Sequence, residues 1–383
     1  MTEEFCPENA TATALATPMF AAVELSGVCW LVAIHAPHLD KISRHQLRSG
    51  ASKELIDLLS SVRSRAEKAL GRSVDIVSCY EAGFDGFWLH RLLSRAGIRS
   101  HVIDPASIQV NRRVRRAKTD GIDVEALLRA LMAWQRGEKR VCSMVRIPSP
   151  EQEDARRVSR EREALIKERI RHVNRIKGLL ATQGIRGFEP LRARRHERLN
   201  ELRTADGCLL PPKLKAELGR SLKRLDLVLE MIKEIEAVRD QEAEASAQAG
   251  GVVGHLVRLR GIGPEVATIL HGEAFNRTFG NRREVASYAG LTPSPWSSGT
   301  LQREQGISKA GNPRLRRTMV ELAWLWLRYQ PDSRLSCWFR DRVRDGKGRI
   351  KRIAIVALAR KLIVALWRYV DVGLVPEGSL LKP

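Results

Sequence analysis

The chain has 383 residues, of which 43% are hydrophobic, and it carries a formal net charge of +22. That apolar fraction is enough for folded cores, so it excludes a disordered protein. The excess of positive charge favours a phosphate polyanion or an anionic membrane surface as partner. The most apolar late segment, 353–370, has Arg360 and Lys361 in its middle. It therefore predicts a buried amphipathic helix, not a membrane span.

The cysteines and the N-terminal sequence predict the compartment. Six cysteines lie far apart without a CxxC motif, which argues against a zinc site and a disulfide scaffold and fits a reducing cytoplasm. The N-terminus lacks the basic and apolar regions of a signal peptide. We expect a cytoplasmic bacterial protein, without a membrane partner, that acts on the nucleoid.

The first part of the chain alternates between strand-like and helix-like segments. Residues 1–18 read as a flexible tail, and residues 19–147 as one domain. Within it we predict a hairpin over 20–34 with a break at 26–27, a helix over 52–70 with a serine cap, a strand over 73–82, a helix over 86–97, a strand over 100–105 and a helix over 119–134 capped by Thr119. This alternation predicts an α/β fold with a partly parallel sheet.

The middle part, 148–250, has a different pattern. Residues 151–183 are highly charged with one apolar stripe, and 184–212 contain breakers. Leucine and isoleucine then recur at spacings of four and three, at Leu218, Leu222, Leu225, Leu229 and Ile232. The two segments predict an antiparallel helical hairpin or coiled coil. Residues 241–251 read as a linker.

The last domain, 251–372, reads as mainly helical, followed by a tail over 373–383. It starts with LVRLRGIGPEVATIL, a pattern that resembles a helix-hairpin-helix whose backbone amides can meet a phosphate. A simple glycine turn between two helices is the alternative. Further on, the apolar residues of 318–327, including Trp324 and Trp326, are expected in the core.

Four acidic residues of the first domain form a candidate metal site. Glu24 lies in an apolar strand, Glu81 ends another strand, and Asp120 and Asp123 share one face at the start of a helix. A ribonuclease-H-like fold gathers carboxylates in this way around Mg²⁺, where two ions can clamp a phosphodiester. The alternative is that the aspartates only favour the helix dipole and that Glu24 is a strand-edge acid.

A run of cations stands directly before the two aspartates. A solvated surface is its usual meaning, but here it adjoins the candidate metal ligands, so we favour contacts to a nucleic-acid backbone. The run consists of Arg112, Arg113, Arg115, Arg116 and Lys118.

Two serines, Ser297 and Ser298, lie before Gly299 in a predicted loop. They belong either to a polar turn or to a nucleophile held against a phosphate by nearby positive charge. No histidine occurs in this loop, so a Ser-His-Asp hydrolase is poorly supported. The cations that could supply the charge are Arg303, Lys309, Arg314, Arg316 and Arg317.

Five motifs carry a family resemblance that spans about residues 20–372: CYEAGFDGFWLHRLL, HVIDPASIQVNRRVRRAKTDGIDVEALLR, RGIGP, YAGLTPSPWSSG and GISKAGNPRLRR. In this order they resemble the DEDD-type transposases of the insertion-sequence 110 family. The KTDxxD and SG…SKAGNPRLR elements are specific, whereas GIGP alone would be weak.

The resemblance implies a RuvC-like (ribonuclease-H-like) N-terminal domain with Glu24, Glu81, Asp120 and Asp123 at the DEDD positions. It implies Ser298 as the nucleophile that forms a transient phosphoserine link with DNA, assisted by Mg²⁺, with acids and serine contributed by different subunits. A structured bridge RNA would pair with donor and target DNA. The coiled coil would mediate a homodimer or homotetramer.

One position departs from the family pattern, because Glu24 stands where the first acid is normally Asp. The extra methylene could shift the metal geometry, where about 0.5 Å matters. Two alternatives therefore stay open: a metal-dependent Holliday-junction-type nuclease in which water is the nucleophile, and a nucleic-acid-binding copy that has lost catalysis.

Overall fold

The computed structural model describes residues 18–108, 120–298, 301–344, 346 and 348–382, with the backbone alone at 120, 296–298 and 301–305. The chain forms two compact units that divide between Pro148 and Ser149. The finer division predicted above, with separate central and C-terminal domains, stays a prediction.

The first unit is built on a five-stranded sheet of order β3-β2-β1-β4-β5. Its strands are β1 (Met19–Leu25), β2 (Cys29–His35), β3 (Ser43–Arg48), β4 (Ile76–Glu81) and β5 (Arg99–Ile103). Strands β1, β2 and β3 pair antiparallel, and β4 and β5 run parallel to β1. The mixed α/β fold class and the β1–β2 hairpin are therefore confirmed. Strand β3 was not predicted, because its sequence SRHQLR is polar and no residue in it is buried.

Three helices cover the two faces of this sheet: α1 (Ser52–Leu70), α2 (Trp88–Arg95) and α3 (Asp120–Gln135). Leu55 of α1 and Leu89 of α2 pack on one face, while Leu127 of α3 packs on the other. The predicted serine cap of α1 is wrong: the N-cap residue is Ala51, which has no side-chain oxygen, and Ser52 already lies in the helix. The predicted cap of α3, Thr119, lies outside the described residues.

The second unit begins with a helical hairpin. After α4 (Pro150–Asp154), α5 (Arg157–Ala181) packs against α7 (Pro212–Gln248), with the short α6 (Arg195–Glu201) between them. The two long helices run antiparallel, because Arg162 pairs with Glu236 at one end and Arg175 pairs with Glu217 at the other. The apolar layer between them contains Ile176, Leu180, Leu218, Leu222 and Leu225. Coiled-coil winding and a role in assembly remain predictions.

The predicted linker over 241–251 is wrong for most of its length. Residues 241–248 form the last turns of α7, and only three residues connect that helix to α8 (Val252–Arg258). The segment consists of glutamate, alanine, glutamine and a serine, and the first three are strong helix formers. Their small, polar character was mistaken for flexibility.

The remaining elements form one helical body with a small hairpin. They are α9 (Pro264–Leu270), a π-helical turn (His271–Phe275), α10 (Arg282–Tyr288), β6 (Pro293–Ser298), β7 (Leu301–Ile307), α11 (Pro313–Tyr329), α12 (Arg334–Val343) and α13 (Arg349–Val372). Trp326 of α11 is fully buried in this core, as predicted, but Trp324 is 41% exposed and is not a core residue. Within the described part of the chain, no helix is long and apolar enough to cross a membrane.

Candidate active site

Glu24 and Glu81 lie at the carboxyl ends of two neighbouring parallel strands. The register of β1 and β4 pairs Val23 with Tyr80, so the two glutamates occupy the next position on each strand. Adjacent strands are about 4.8 Å apart. Alternation puts Glu24 on the face of Phe20 and Ala22, and puts Glu81 on the face of Cys79; this is the face that α3 covers.

Both glutamates are half-buried, and the Oε2 oxygen of Glu24 lies below the surface. The register of the strands thus brings together two residues that are far apart in sequence.

The aspartates lie on the same side of the sheet, at the start of α3. Asp123 is half-buried and precedes the buried Leu127 by about one helical turn. Asp120 is the first residue of α3, and its side chain lies outside the description. Positions three and four apart share a helix face, so Asp123 extends the stripe with which α3 meets the sheet.

The chemistry of this donor set fits a hard cation. All four candidates are carboxylates, the oxygen ligands that Mg²⁺ prefers, and two of them sit at adjacent register positions of β1 and β4. Among the described side chains, which exclude Asp120, no three acidic, histidine or cysteine residues are close enough to hold a metal ion. A complete ligand set thus needs the Asp120 side chain or a rearrangement of the others.

The serine segment is a β-hairpin and not the loop that the sequence predicts. Ser297 pairs with Gln302 and Ser298 pairs with Leu301, so Ser298 is the last residue of β6 and pairs with the first residue of β7. The prediction failed because prolines at 293 and 295 conceal the strand. Proline is tolerated in a two-stranded hairpin, where each strand has a free edge.

The base of the hairpin is fixed to the elements on either side. Ser308 N donates to Thr292 O over 2.8 Å, and Asn312 N donates to Tyr288 O over 2.8 Å. Gly311 has φ of +107°, and a Cβ there would lie 2.4 Å from Tyr288 O. This turn therefore requires glycine both for its dihedral angle and for its space.

Asn312 links this turn to a buried carboxylate. Its Oδ1 accepts from the backbone of Arg314 and Leu315 at 3.0 and 3.1 Å, which caps α11. Its Nδ2 donates to Glu273 Oε2 over 2.8 Å. Glu273 belongs to the π-helical turn, is 2% exposed, and accepts from Arg160 Nε at 3.0 Å. Three elements of the second unit, the π-helical turn, α5 and the start of α11, therefore meet at this carboxylate.

Burial alone would raise the pKa of Glu273, but hydrogen bonds from Arg160 and Asn312 outweigh it and hold the pKa below its ordinary value. Sequence reasoning missed this residue. The available signal was an acid inside the mostly apolar run 266–275, where a charge requires a partner.

Two of the predicted DNA-binding cations belong to the same network. The Arg314 side chain is only 12% exposed and pairs with Glu163 at 3.2 Å, while its Nη2 donates to Ser159 O over 2.6 Å. We therefore assign Arg314 a structural role. Arg317 also pairs with Glu163, at 2.6 Å, but keeps 54% of its side chain exposed.

The other predicted cations lie partly within and partly outside the residues that the structure describes. Arg316 Nη1 donates to Lys309 O over 2.9 Å beside the turn, and the Lys309 side chain is exposed. The Arg303 side chain and the run from Arg112 to Lys118 lie outside the description. Their role as nucleic-acid ligands remains a prediction.

The GIGP segment joins α8 to α9 through a tight turn. Gly261 has φ of +92°, and a Cβ there would lie 2.9 Å from Tyr329 Cβ. Glu265 in the first turn of α9 pairs with Arg239 at 2.8 Å and with Arg162 at 3.2 Å. A carboxylate already stands at this helix start, so the geometry favours the glycine-turn reading over a phosphate site.

Comparison with known proteins adds independent evidence. A family model described as "Transposase IS116/IS110/IS902 family" matches residues 254–336, and a transposase model of the DEDD type of IS110 matches residues 32–183. The protein y4rJ of Sinorhizobium fredii, named as a transposase, is 50% identical over 375 residues, which cover 95% of this chain and 94% of that protein. The transposase for insertion sequence element IS1111A of Coxiella burnetii is 28% identical, over 73% of each chain.

These matches identify the class of protein: a transposase, which is an enzyme that transfers DNA strands. The chain belongs to the IS116/IS110/IS902 transposase family, of the DEDD type.

Proposed function

We propose that this transposase cuts and rejoins DNA through a phosphoserine at Ser298, with Mg²⁺ held by Glu24, Glu81, Asp120 and Asp123, and that a bridge RNA guides it. The observation that carries the serine assignment is the end position of Ser298 on β6, in a hairpin whose base is hydrogen-bonded to its neighbours. A fixed hairpin base gives a nucleophile at the end of its strand a defined position, which favours attack on a large substrate.

The chemistry is a pair of exchanges at phosphorus. The Ser298 oxygen forms a bond to the phosphorus of a DNA phosphodiester and loses its proton, while a sugar oxygen leaves and takes up a proton. A sugar hydroxyl of the partner strand then attacks the phosphoserine, which restores a phosphodiester and frees the serine. One ester replaces another at each step, so the reaction needs no external energy source.

The four acids would hold Mg²⁺, which supplies charge neutralisation at the scissile phosphate when it is bound. Support comes from the neighbouring register positions of Glu24 and Glu81, together with an all-oxygen donor set. Lys309, Arg316 and Arg317 would hold DNA phosphates near the serine, and the run from Arg112 to Lys118 would contact DNA or RNA backbone. We further propose that acids and serine come from different subunits of a dimer or tetramer.

The adjacent serines provide a matched test. Ser298→Ala should abolish both strand transfer and the covalent protein–DNA adduct, because a nucleophile cannot be replaced by a methyl group. Ser297→Ala should keep the adduct. Denaturing gels of each variant, incubated with a labelled donor duplex, measure both readouts. DNA cleavage by Ser298→Ala at the wild-type rate, without an adduct, would reject the serine mechanism and favour the junction nuclease, in which water attacks.

Glu24 decides between an active enzyme and an impaired copy. If the site accepts the longer acid, Glu24→Asp changes the strand-transfer rate by less than about tenfold, and Glu24→Gln removes activity because it deletes a charged ligand. A large gain of activity in Glu24→Asp would instead identify a copy weakened by its own glutamate.

Guidance by RNA has a separate test. Purified protein should retain an RNA that resists washing at moderate salt, and sequencing should find loops complementary to the DNA flanks of its element. Full strand transfer after ribonuclease treatment and RNA removal would reject guidance while leaving the serine assignment intact.

A further inference from the structure

A large cleft in the second unit has no role in the site described so far. Its volume is about 980 Å³, at the upper end of the roughly 300–1,000 Å³ typical of ligand pockets. Five separate segments form its walls: the start of α10, residues 292–293, the start of α12, the middle of α13 and residues 374–377. We call it the α10–α13 cleft.

The charge of the α10–α13 cleft is strongly positive. Six cations and one acid line it: Arg282, Arg283, Arg334, Arg360, Lys361, Arg368 and Glu377. Within the described residues, Arg334 is the one cation of this set with an acidic partner, Glu377 at 2.5 Å. The remaining five carry uncompensated charge around one concave surface, which predicts an anionic ligand.

Apolar side chains complete the walls between these cations. Leu335, Val364 and Ala365 contribute aliphatic surface, and Trp338 contributes an aromatic ring over which Lys361 Nζ lies at 4.7 Å. A ligand that satisfies both kinds of surface needs negative charge and flat apolar groups. An unpaired nucleotide strand has both, because its phosphates are charged and its bases are free to contact aromatic or apolar surface.

The cleft also lies beside the strand that carries the serine. Thr292 and Pro293 form part of its lining, and Pro293 is the first residue of β6. Ser298 lies five residues further along that strand, which corresponds to about 17 Å at roughly 3.3 Å per residue. That is the length of about five stacked nucleotides at 3.4 Å each. A strand that crosses the cleft could therefore reach the serine.

We propose that the α10–α13 cleft binds an unpaired segment of the DNA strand that is being cut. Duplex DNA does not fit the same description, because its bases are stacked inside and only its phosphates would meet the walls. Single-stranded DNA matches the positive charge, the apolar surface and the adjacent β6 together. This inference rests on the proposed function, because strand transfer at Ser298 is the reason for naming DNA as the ligand. Binding of the strand in the cleft does not itself require the serine.

The first experiment separates the cleft from other basic surfaces. Fluorescence anisotropy measures the full-length protein against an oligothymidylate of about ten nucleotides, within the usual range of single-strand sites. Arg360→Gln combined with Arg368→Gln should weaken binding at least tenfold. It should also reduce the slope of log affinity against log salt by about 1.4, at roughly 0.7 for each lost phosphate contact.

The matched control removes the same charge elsewhere. Arg220 and Arg224 are exposed on α7, away from the cleft, and their double glutamine variant should weaken oligothymidylate binding less than threefold. A second pair of variants fills space without any change of charge. Ala365→Trp places a large side chain in the cleft and should weaken oligothymidylate binding at least fivefold, whereas Ala216→Trp on α7 should not. Thermal melting checks that each variant is folded.

The chemistry of the ligand is tested with matched nucleic acids. An abasic oligonucleotide of equal length should bind the wild type at least fivefold more weakly, and the cleft variants should show little of that difference. Binding of duplex DNA should be equal in cleft and control variants. The proposal fails if the cleft variants lose no more affinity than their controls. It also fails if they lose affinity for the matching single-stranded RNA and not for single-stranded DNA.

These outcomes are independent of the serine. Ser298→Ala should bind oligothymidylate as the wild type does, since no bond is formed in this assay. If the strand-transfer assay rejected Ser298 as the nucleophile, the binding assay would still test the α10–α13 cleft. If the binding assay rejected the cleft, the serine mechanism would not be affected.

Discussion

The two places that carry the candidate chemistry are positioned by different means. Glu24 and Glu81 lie at the ends of strands within a buried sheet, where Met19, Val23 and Val77 are fully enclosed. Ser298 lies at the end of β6 in a sheet of two strands, and its position depends on polar contacts at the hairpin base.

The acidic residues and the serine depend on different parts of the structure for their positions. Strand register fixes the acids, so their placement depends on the apolar core of the first unit and on few individual residues. Placement of the serine instead depends on a small set of groups, chiefly Gly311, Asn312 and Glu273. Single substitutions far from the serine should therefore affect it more than comparable ones affect the acids.

The largest expected effect follows removal of the buried charge at this base. Glu273→Gln removes a buried carboxylate that pairs with Arg160, whose side chain is 56% exposed, and with the mostly buried Arg314 at 3.6 Å. We expect a loss of about 1.5–3 kcal/mol, the range for a hydrogen bond to a charged group. Denaturant unfolding of the full chain measures the loss, as an early transition of the second unit. Asp75→Asn is the control in the first unit, because its pair with Arg99 is exposed at 68% and 56% and should contribute at most about 1 kcal/mol. If both variants lost the same free energy of unfolding, the buried carboxylate would contribute no more than the exposed pair, which contradicts this prediction.

The next effect concerns the glycines that flank Lys309. Gly311→Ala meets both a positive φ and a Cβ position 2.4 Å from Tyr288 O, whereas Gly306→Ala has φ of +95° and open space around it. Both variants carry dihedral strain of about 1–2 kcal/mol, so their difference isolates the clash. We expect Gly311→Ala to lower strand transfer and unfolding free energy clearly more than Gly306→Ala. A Gly306 variant that is equally damaged would mean that strain alone, and not packing against α10, fixes the hairpin.

The smallest effect is the acid dependence of the second unit. The pKa of Glu273 lies below its ordinary value of 4.5 in the folded chain. Its stabilisation is therefore complete above that ordinary value and is lost as the pH falls through the lower, folded value. The unfolding transition of the second unit should weaken below about pH 4.5, and Glu273→Gln should flatten this decline. An unchanged acid dependence in that variant would show that other carboxyls dominate.

Much of the first unit could be predicted from sequence because its elements are strongly patterned. Apolar β-branched runs identified β1, β2 and β4, and acids at the ends of such runs identified Glu24 and Glu81. Strand β3 escaped because it is held by backbone pairing with β2 and buries no side chain. The pattern of a single strand does not contain that information.

In the second unit, the helices could be predicted from the sequence better than the residues around Ser298. The heptad spacing identified the packing of α5 with α7, but the serine hairpin was concealed by its prolines. Arg314 was taken as a DNA ligand because its neighbours in sequence are basic, and the acids that bind it come from α5 and the π-helical turn. The α10–α13 cleft escaped for the same reason, since its cations come from three separate helices, α10, α12 and α13.

The continuity of α7 has a mechanical consequence. Its 37 residues span about 55 Å at 1.5 Å per residue, and Arg239 near its end is bound to Glu265 of α9 at 2.8 Å. A displacement of the far end of this helix is transmitted to α9, because the helix is continuous between Pro212 and Gln248. A partner that binds the distal tip of α7 would therefore also act on the position of α9.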